Sequence, residues 1–135
     1  MGLGLGEAME DYLEVIYILK LQNGYVRNIS IANHMRYSRA SVTVAMRGLK
    51  EKGCIVCDDA GHIELTEKGS EIAKSVYFRH RVLKEFLELL GVSPDTAERD
   101  ACRVEHAISE ETFGKIRGLT EELRGKKAAE IQRKE

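Results

Sequence analysis

Residues 31–49, IANHMRYSRASVTVAMRGL, hold the segment that decides the fold. Residues 29–36 have the pattern of a short helix, and Tyr37 and Ser38 form a turn after it. Ser38 can cap a second helix, RASVTVAMRGLKEKG, which we expect to end at Gly53. The apolar residues of this helix that would face a core are Val42, Met46 and Leu49, or Ala45. Two helices joined by a tight turn predict a helix-turn-helix.

The flanking segments extend this motif on both sides. Residues 7–22 place apolar side chains at helical spacing, and an Asn-Gly pair ends that helix. Two short β-type runs, 54–57 and 62–65, enclose the turn sequence DDAG and predict a hairpin. A helix, a helix-turn-helix and a two-stranded wing together predict a winged helix-turn-helix.

The second half of the chain predicts further helices. Thr66 can cap a long helix that ends at Gly91, Ser93-Pro94 can open another, and Ser109 can cap a third. Residues 125–135 are charged and are expected either to fray or to form a polar terminal helix. The expected fold class is mainly α, with a winged helix-turn-helix domain in residues 1–70 and a helical domain in residues 71–135.

Charge is distributed unevenly along the chain. Residues 20–50 contain six basic and no acidic residues, so this segment carries +6 while the whole chain carries −1. A basic segment in an otherwise acidic protein is typical of nucleic-acid binding. The alternative is a solvated basic face that has no ligand.

A helix-turn-helix places its second helix in the major groove of double-stranded DNA. Arginine is the usual bidentate reader of guanine, whereas serine and threonine are less selective. The wing tip, residues 59–62, is rather acidic and is expected to add little attraction to phosphate. The candidate residues for contact with base edges or phosphates are Ser38, Arg39, Ser41 and Thr43. Arg47 and Lys50 are expected to contact the DNA backbone, and Arg27 is a further candidate DNA-binding residue.

A second group of residues has the chemistry of a metal site. Cys102, Glu105 and His106 fall at positions i, i+3 and i+4, on one face of a helix. A thiolate, a carboxylate and an imidazole can together bind a divalent transition metal. Further donors are His80 in the long helix and an acidic stripe on the first helix, which consists of Glu7, Glu10, Asp11 and Glu14. Each feature also has a simpler interpretation when taken singly. The acidic stripe could be a solvated helix face, His80 could be an ordinary surface or core histidine, and Cys102 could be a small buried apolar residue.

The other cysteines and histidines have simpler interpretations. Cys54 and Cys57 have the spacing of a zinc knuckle, but residues i and i+3 of a strand point to opposite faces, so we expect ordinary strand residues. His34 and His62 are expected to be polar surface groups. The N-terminus has neither the basic region nor the apolar core of a secretory signal, and three cysteines are an odd number. Both observations favour a reducing, cytoplasmic location.

Several of these motifs together resemble a known family. MEDYLEVIY at 9–17, the helix-turn-helix, LTEKG at 65–69, YFRHRVLKEFL at 77–87 and CRVEHAIS at 102–109 resemble the diphtheria toxin repressor family of metal-dependent transcriptional repressors. In length the chain is similar to the short manganese transport repressor branch, which lacks the SH3-like domain of the iron-dependent branch. The resemblance implies a regulatory metal site made of Asp11, Glu14, His80, Cys102, Glu105 and His106.

The implied site combines features of both branches. Asp11 and Glu14 match the manganese type, whereas Cys102 stands where that type has a carboxylate and resembles the iron branch. The implied cofactor is Mn(II) or Fe(II), with Co(II) or Zn(II) as substitutes, at one or two ions per subunit. The ancillary site of the iron branch does not fit, because Lys84 stands where it has a carboxylate and Glu98 where it has a histidine.

The resemblance also implies how such a protein acts. A cation would join the DNA-binding lobe to the helical metal-binding and dimerisation lobe, and a homodimer would bind a palindromic operator of metal-uptake genes. Some of the candidate dimer residues are expected to belong to the intrachain core. They are Leu83, Phe86, Leu87, Leu90, Ile108, Phe113, Ile116 and Leu119.

Three other functions compete with this interpretation. One is a winged-helix regulator that senses an organic ligand or thiol oxidation at Cys102 instead of a metal. Another is an enzyme with Cys102 as nucleophile and His106 as base, although no third orienting group is evident and the basic segment would be unexplained. The last is a DNA-binding protein that recruits partners through its acidic C-terminal half.

Overall fold

The computed structural model describes residues 5–134, without the side chain of Lys134. The first four residues, where a secretory signal would begin, lie outside this range. The elements are α1 (Glu7–Asn23), α2 (Asn28–Met35), α3 (Arg39–Glu51), β1 (Ile55–Cys57), β2 (Ile63–Leu65), α4 (Glu67–Leu89), α5 (Pro94–Val104) and α6 (Glu110–Lys134). This order confirms the predicted mainly α fold, with a winged helix-turn-helix followed by helices.

The turn between α2 and α3 is built as the sequence predicts. The Ser38 Oγ accepts a hydrogen bond from the backbone N–H of Ser41 at 3.1 Å, an N-cap that contributes about 1 kcal/mol to helix stability. Before it, Arg36 ends α2 in the left-handed region at φ 59°. A non-glycine residue seldom adopts this conformation, so the surrounding structure holds it there.

The wing is a short antiparallel hairpin that is attached to the helical part. Ile55 pairs with Leu65, and Cys57 pairs with Ile63. The Ile63 N–H donates to the Val26 carbonyl at 2.7 Å, so β2 also binds the segment between α1 and α2. Cys54 precedes β1 and is buried, whereas Cys57 is exposed. Cys57 is therefore a strand residue as expected, whereas Cys54 lies just before the strand instead of in it.

The chain divides into two compact units, one ending at Tyr77 and the other beginning at Phe78, both within α4. In the N-terminal unit, the apolar faces of α1, α2 and α3 close over the hairpin. The residues that α3 buries are Val42, Ala45, Met46 and Leu49, as predicted. They pack in one cluster with Leu13, Ile16, Val26, Ile31, Ile55 and Ile63.

The C-terminal unit contains the second part of α4, then α5 and α6. The predicted caps are present: Thr66 Oγ1 accepts from Gly69 N–H, and Ser109 Oγ accepts from Thr112 N–H, each at 3.1 Å. Pro94 opens α5 as predicted, and the Ser93 hydroxyl donates to the Thr96 hydroxyl at 3.1 Å instead of accepting from a backbone N–H.

The last helix extends into the charged terminal residues, for which the sequence left two alternatives, fraying or a polar helix. α6 passes through Gly125 and continues to Lys134, so the polar-helix alternative for the terminal residues is the one observed. A glycine inside a helix costs about 1 kcal/mol relative to alanine, and the Lys, Ala, Glu and Arg residues around it favour the helix. Within residues 5–134, no helix has the length and apolar character needed to cross a membrane.

Candidate metal centre and nucleic-acid interface

His80 lies at the middle of a cluster of metal-ligating side chains in the C-terminal unit. Its ring is buried on α4, with 7% of the residue exposed. The Nδ1 atom lies 2.9 Å from Glu105 Oε2 and 3.7 Å from Cys102 Sγ. The Nε2 atom lies 2.9 Å from Glu98 Oε1. Helix α4 thus presents one imidazole to Glu98 and Cys102 of α5 and to Glu105 at the C-terminal end of α5.

Glu105 extends the cluster to a second imidazole. It caps the C-terminal end of α5 and is fully buried. While its Oε2 meets His80, its Oε1 lies 3.2 Å from His106 Nε2. Four predicted ligands, His80, Cys102, Glu105 and His106, are therefore linked through short side-chain contacts.

The neighbours of His80 control its protonation. Burial disfavours the charged ring, but contacts with the Cys102 thiol and the Glu105 carboxylate, followed by Glu98, raise the pKa of His80 to about 11. The ring is therefore protonated on both nitrogens, as the charged imidazolium, at neutral pH in the absence of metal. Metal ions bind the neutral imidazole, so a metal ion at this ring would have to compete with a proton.

The donor set fits a divalent transition metal. One thiol, two imidazoles and a buried carboxylate are the ligand types that such ions take. The 3.7 Å between Cys102 Sγ and His80 Nδ1 is close to the roughly 3.5 Å that separates a thiolate and an imidazole nitrogen on one tetrahedral ion. Of these side chains, Cys102 is the exposed one.

Glu98 belongs to the cluster although the sequence did not assign it there. It lies on α5, four residues before Cys102, and so shares a helix face with it. That spacing is the signal that could have identified it. Its Oε1 contacts His80 at 2.9 Å, and its Oε2 lies 3.8 Å from Lys84 Nζ.

The acidic stripe lies on α1, in the N-terminal unit. Asp11 is half-buried and Glu14 is buried, with 7% of the residue exposed. Glu10 is also buried, whereas Glu7 is exposed. The alternative of a simply solvated stripe is therefore wrong for Glu10 and Glu14.

The polar side of α3 is exposed, opposite the face that packs in the core. Ser38 and Ser41 bond each other at the N-cap, and the Thr43 hydroxyl donates to the Arg39 carbonyl at 2.9 Å. Those hydroxyls therefore also support the start of the helix. The exposed basic side chains on α3 are Arg39, Arg47 and Lys50.

Val44 is a further exposed residue of α3 that the sequence did not assign, with 64% of it exposed. An apolar side chain here can contact the methyl group of thymine. The sequence feature that could have identified Val44 is an apolar residue between the polar positions of a helix that was expected to enter the major groove.

The wing tip is tied to the remaining candidate, Arg27. The Arg27 Nη2 and His62 Nε2 atoms are 3.2 Å apart, and the other nitrogen of His62 lies 3.1 Å from Asp58 Oδ2. The His62 backbone N–H holds the pKa of Asp58 below its usual value. His62 thus orders the wing loop, while His34 is exposed as predicted.

Comparison with known proteins assigns both units. Residues 4–63 match the N-terminal DNA-binding domain of iron-dependent repressors, and residues 66–127 match their metal-binding and dimerisation domain. The chain belongs to the iron-dependent repressor family. The resemblance seen in the sequence is thereby confirmed.

Known relatives of the repressor align with most of its length. It is 35% identical over 114 residues to the transcriptional regulator MntR of Geobacillus kaustophilus, covering 84% of this chain and 81% of the relative. It is 31% identical to MntR of Bacillus subtilis, covering 94% and 93% of the two chains.

Solved structures of similar fold include the manganese regulator SloR, with a TM-score of 0.73 and 28% identity over 82% of this chain and 52% of that one. The metal-dependent regulator MtsR has a TM-score of 0.77 and 27% identity over 84% and 53%. The repressor thus spans about half the length of these two solved chains.

These findings establish the class of protein. The chain is a metal-dependent, DNA-binding transcriptional repressor that forms homodimers, and it is not an enzyme. Among the candidate dimer residues, Leu83 is buried within the single chain, with 2% exposed. The remaining candidates keep some exposure and stay predictions: Phe86, Leu87, Leu90, Ile108, Phe113, Ile116 and Leu119.

Proposed function

We propose that this repressor senses Mn(II) or Fe(II) in the cytoplasm and controls metal-uptake genes through a palindromic operator. The observation that carries the proposal is the contact of His80 with Cys102 and Glu105 in a domain of the metal-binding type. Relatives named MntR and a solved manganese-dependent repressor in complex with manganese support it.

The proposed ligands come from both parts of the chain. His80, Cys102, Glu105 and His106 are included because their donor atoms cluster. Asp11 and Glu14 are included on the sequence resemblance and on their spacing along one face of α1. Carboxylates suit Mn(II) and Fe(II), whereas the thiolate of Cys102 shifts preference towards Fe(II), Co(II) or Zn(II).

The proposed response follows from charge and linkage. A bound divalent cation neutralises carboxylates that otherwise repel one another. Metal binding and DNA binding then strengthen each other by the same factor, because coupling between two sites is reciprocal. In the homodimer, two α3 helices would read half-sites about 34–36 Å apart, one turn of DNA.

The test is metal-dependent binding to a duplex selected by this protein from a random pool. The apoprotein is titrated with Mn(II), Fe(II) under anaerobic conditions, Co(II) and Zn(II), with chelator as the reference. Cys102→Glu is compared with the wild type, and Cys57→Ser, which alters the other exposed thiol, is the control.

Two outcomes decide the proposal. Binding that needs metal, with Cys102→Glu shifting preference towards Mn(II) and Cys57→Ser unchanged, supports a sensor in which Cys102 selects the ion. Tight binding that neither chelator nor any of the four metals changes would overturn it.

A second candidate signal is oxidation of Cys102, because this thiol is exposed and lies 3.7 Å from the His80 imidazole. It predicts that peroxide releases DNA from the protein in the presence of chelator. Release that requires bound metal, or no release at all, would exclude a metal-independent thiol switch.

A further inference from the structure

Glu98 contacts the edge of His80 that faces away from the other ligands. The ring has two nitrogens on opposite edges: Nδ1 meets Glu105 and Cys102, whereas Nε2 meets Glu98 at 2.9 Å. A metal ion takes one lone pair of an imidazole, and two of the proposed ligands, Cys102 and Glu105, meet Nδ1, so a metal ion would bind at that edge. The opposite nitrogen then carries hydrogen and donates to Glu98.

We propose that Glu98, held by Lys84, is a positioning residue for the metal: it accepts the Nε2–H of His80 and so fixes the tautomer that offers Nδ1 to the ion. This inference rests on the proposed function. A carboxylate behind a metal-binding histidine orients the ring and makes its other nitrogen a better donor. Glu98 has the required contact, although 18 residues separate it from His80.

Lys84 fixes the second oxygen of the same carboxylate. Its Nζ lies 3.8 Å from Glu98 Oε2 and 3.5 Å from Glu88 Oε1. Lys84 lies four residues after His80 on α4, so both side chains meet Glu98 from one face of that helix. Glu98 is therefore oriented at one oxygen by His80 and at the other by Lys84.

The local charge is consistent with an orienting role. Half of the Glu98 side chain is exposed, at 51%, whereas the side chain of Glu105 is fully buried. The positive charge of Lys84 beside Glu98 also makes that edge unfavourable for a second cation. In this proposal the Nδ1 edge of His80 binds the metal and the Nε2 edge orients the ring.

The inference is tested by Co(II) titration of the full chain, with Co(II) affinity measured by chelator competition. The thiolate-to-cobalt absorption band reports Cys102, and the d–d bands report coordination number. The variants are Glu98→Ala, Glu98→Gln and Lys84→Ala. Glu88→Gln is the matched control, because Glu88 also contacts Lys84 but lies outside the His80 cluster. The thermal midpoint of each apoprotein verifies folding.

The expected result is that Glu98→Ala weakens Co(II) binding by about 10–100-fold and keeps both sets of bands. Glu98→Gln still accepts a hydrogen bond and recovers most of the affinity. Lys84→Ala lowers Co(II) affinity less than Glu98→Ala does, and Glu88→Gln binds Co(II) with the affinity of the wild type.

Unchanged affinity in Glu98→Ala would overturn the inference. Altered d–d bands in that variant would overturn it as well, because they would make Glu98 a ligand. Either result leaves the proposed function standing if the wild type shows the thiolate band. A wild type without that band would count against Cys102 as a ligand and so against both proposals.

Discussion

His80 Nδ1 and Glu105 Oε2 lie 2.9 Å apart although 25 residues separate them in the chain. Both residues are buried. A buried polar pair of this kind is stable while both partners remain, and removing one leaves the other without compensation. The pair holds the middle of α4 against the end of α5 and places two proposed metal ligands in contact.

Replacing His80 with Ala is expected to lower metal affinity by more than about 100-fold, beyond the effect of losing a partner that only orients a ligand. Metal-dependent DNA binding is lost with it. Calorimetric titration with Mn(II) and Co(II) measures the change. His34→Ala removes an exposed histidine from α2 and is expected to bind metal as the wild type does. Wild-type metal affinity in His80→Ala would contradict the proposed ligand set.

The three cysteines are expected to react differently with a thiol reagent. Cys54 is buried and stays protected in the native protein, whereas Cys57 and Cys102 are exposed and react. Bound metal is expected to slow the alkylation of Cys102 and to leave Cys57 unaffected, because a metal-bound thiolate is shielded from the reagent. Mass spectrometry of peptides after timed alkylation, with and without Co(II), measures each rate. Equal protection of Cys57 and Cys102 would indicate a general change in structure instead of ligation.

Substitutions on α3 are expected to weaken DNA binding in two distinct ways. Arg47→Ala and Lys50→Ala each remove a proposed phosphate contact and should reduce the slope of log affinity against log salt by about 1. Arg39→Ala removes a proposed base contact and should cost about 1–3 kcal/mol on the preferred site. Fluorescence anisotropy over a salt series measures both effects. Lys74→Ala makes the same charge change at an exposed position of α4 and serves as control. Salt slopes that all equal that of Lys74→Ala would exclude α3 as the phosphate-binding surface.

Gly69 is expected to be essential for stability because α4 passes closely over the chain before the wing. A Cβ atom at Gly69 would lie 2.0 Å from the Cys54 carbonyl oxygen. The carbonyl is a backbone group and the position of a Cβ is fixed by its own backbone, so neither can move aside, and Gly69→Ala should destabilise the fold by about 1–3 kcal/mol or more. At Gly125 in α6 a Cβ would meet nothing within 4 Å, so Gly125→Ala should stabilise by about 0.5–1 kcal/mol. Urea unfolding measures whether the free energy of unfolding falls in Gly69→Ala and rises in Gly125→Ala. A Gly69→Ala variant as stable as the wild type would contradict the close approach.

The ion pair between Glu85 and Arg124 is expected to make stability depend on pH. Hydrogen bonds from the Arg124 guanidinium, one of them 2.8 Å from Nε to Oε2, hold the pKa of Glu85 below its usual value. A carboxyl whose folded pKa is depressed stabilises the fold above its unfolded pKa, and this contribution is lost as pH falls through the folded pKa. Glu85→Gln should therefore lower the melting temperature at pH 7 more than at pH 3.

The matched variant for this pair is Glu121→Gln, which removes the acid of an exposed pair within α6, 3.5 Å from Arg117. Exposed pairs of that kind contribute little, so its melting temperature should change less at either pH. A Glu85→Gln effect that is equal at both pH values would show that packing, and not charge, holds the two helices.

Much of the N-terminal half was predictable because its signals are local. The Ser38 cap and the apolar spacing of α3 depend on residues within one or two helical turns. Such preferences act wherever the segment lies in the fold. The family resemblance used the same short motifs and was confirmed over both domains.

Contacts between elements required the tertiary structure. The sequence alone established the helices, the wing and the donor types near residue 102, since spacing along one segment sets which side chains share a face. Packing alone brought Glu98 to the second nitrogen of His80, pressed Gly69 against the Cys54 carbonyl and joined Glu85 to Arg124 across 39 residues. These relations depend on where separate helices cross, and that position follows from the summed fit of many side chains, which no local pattern contains.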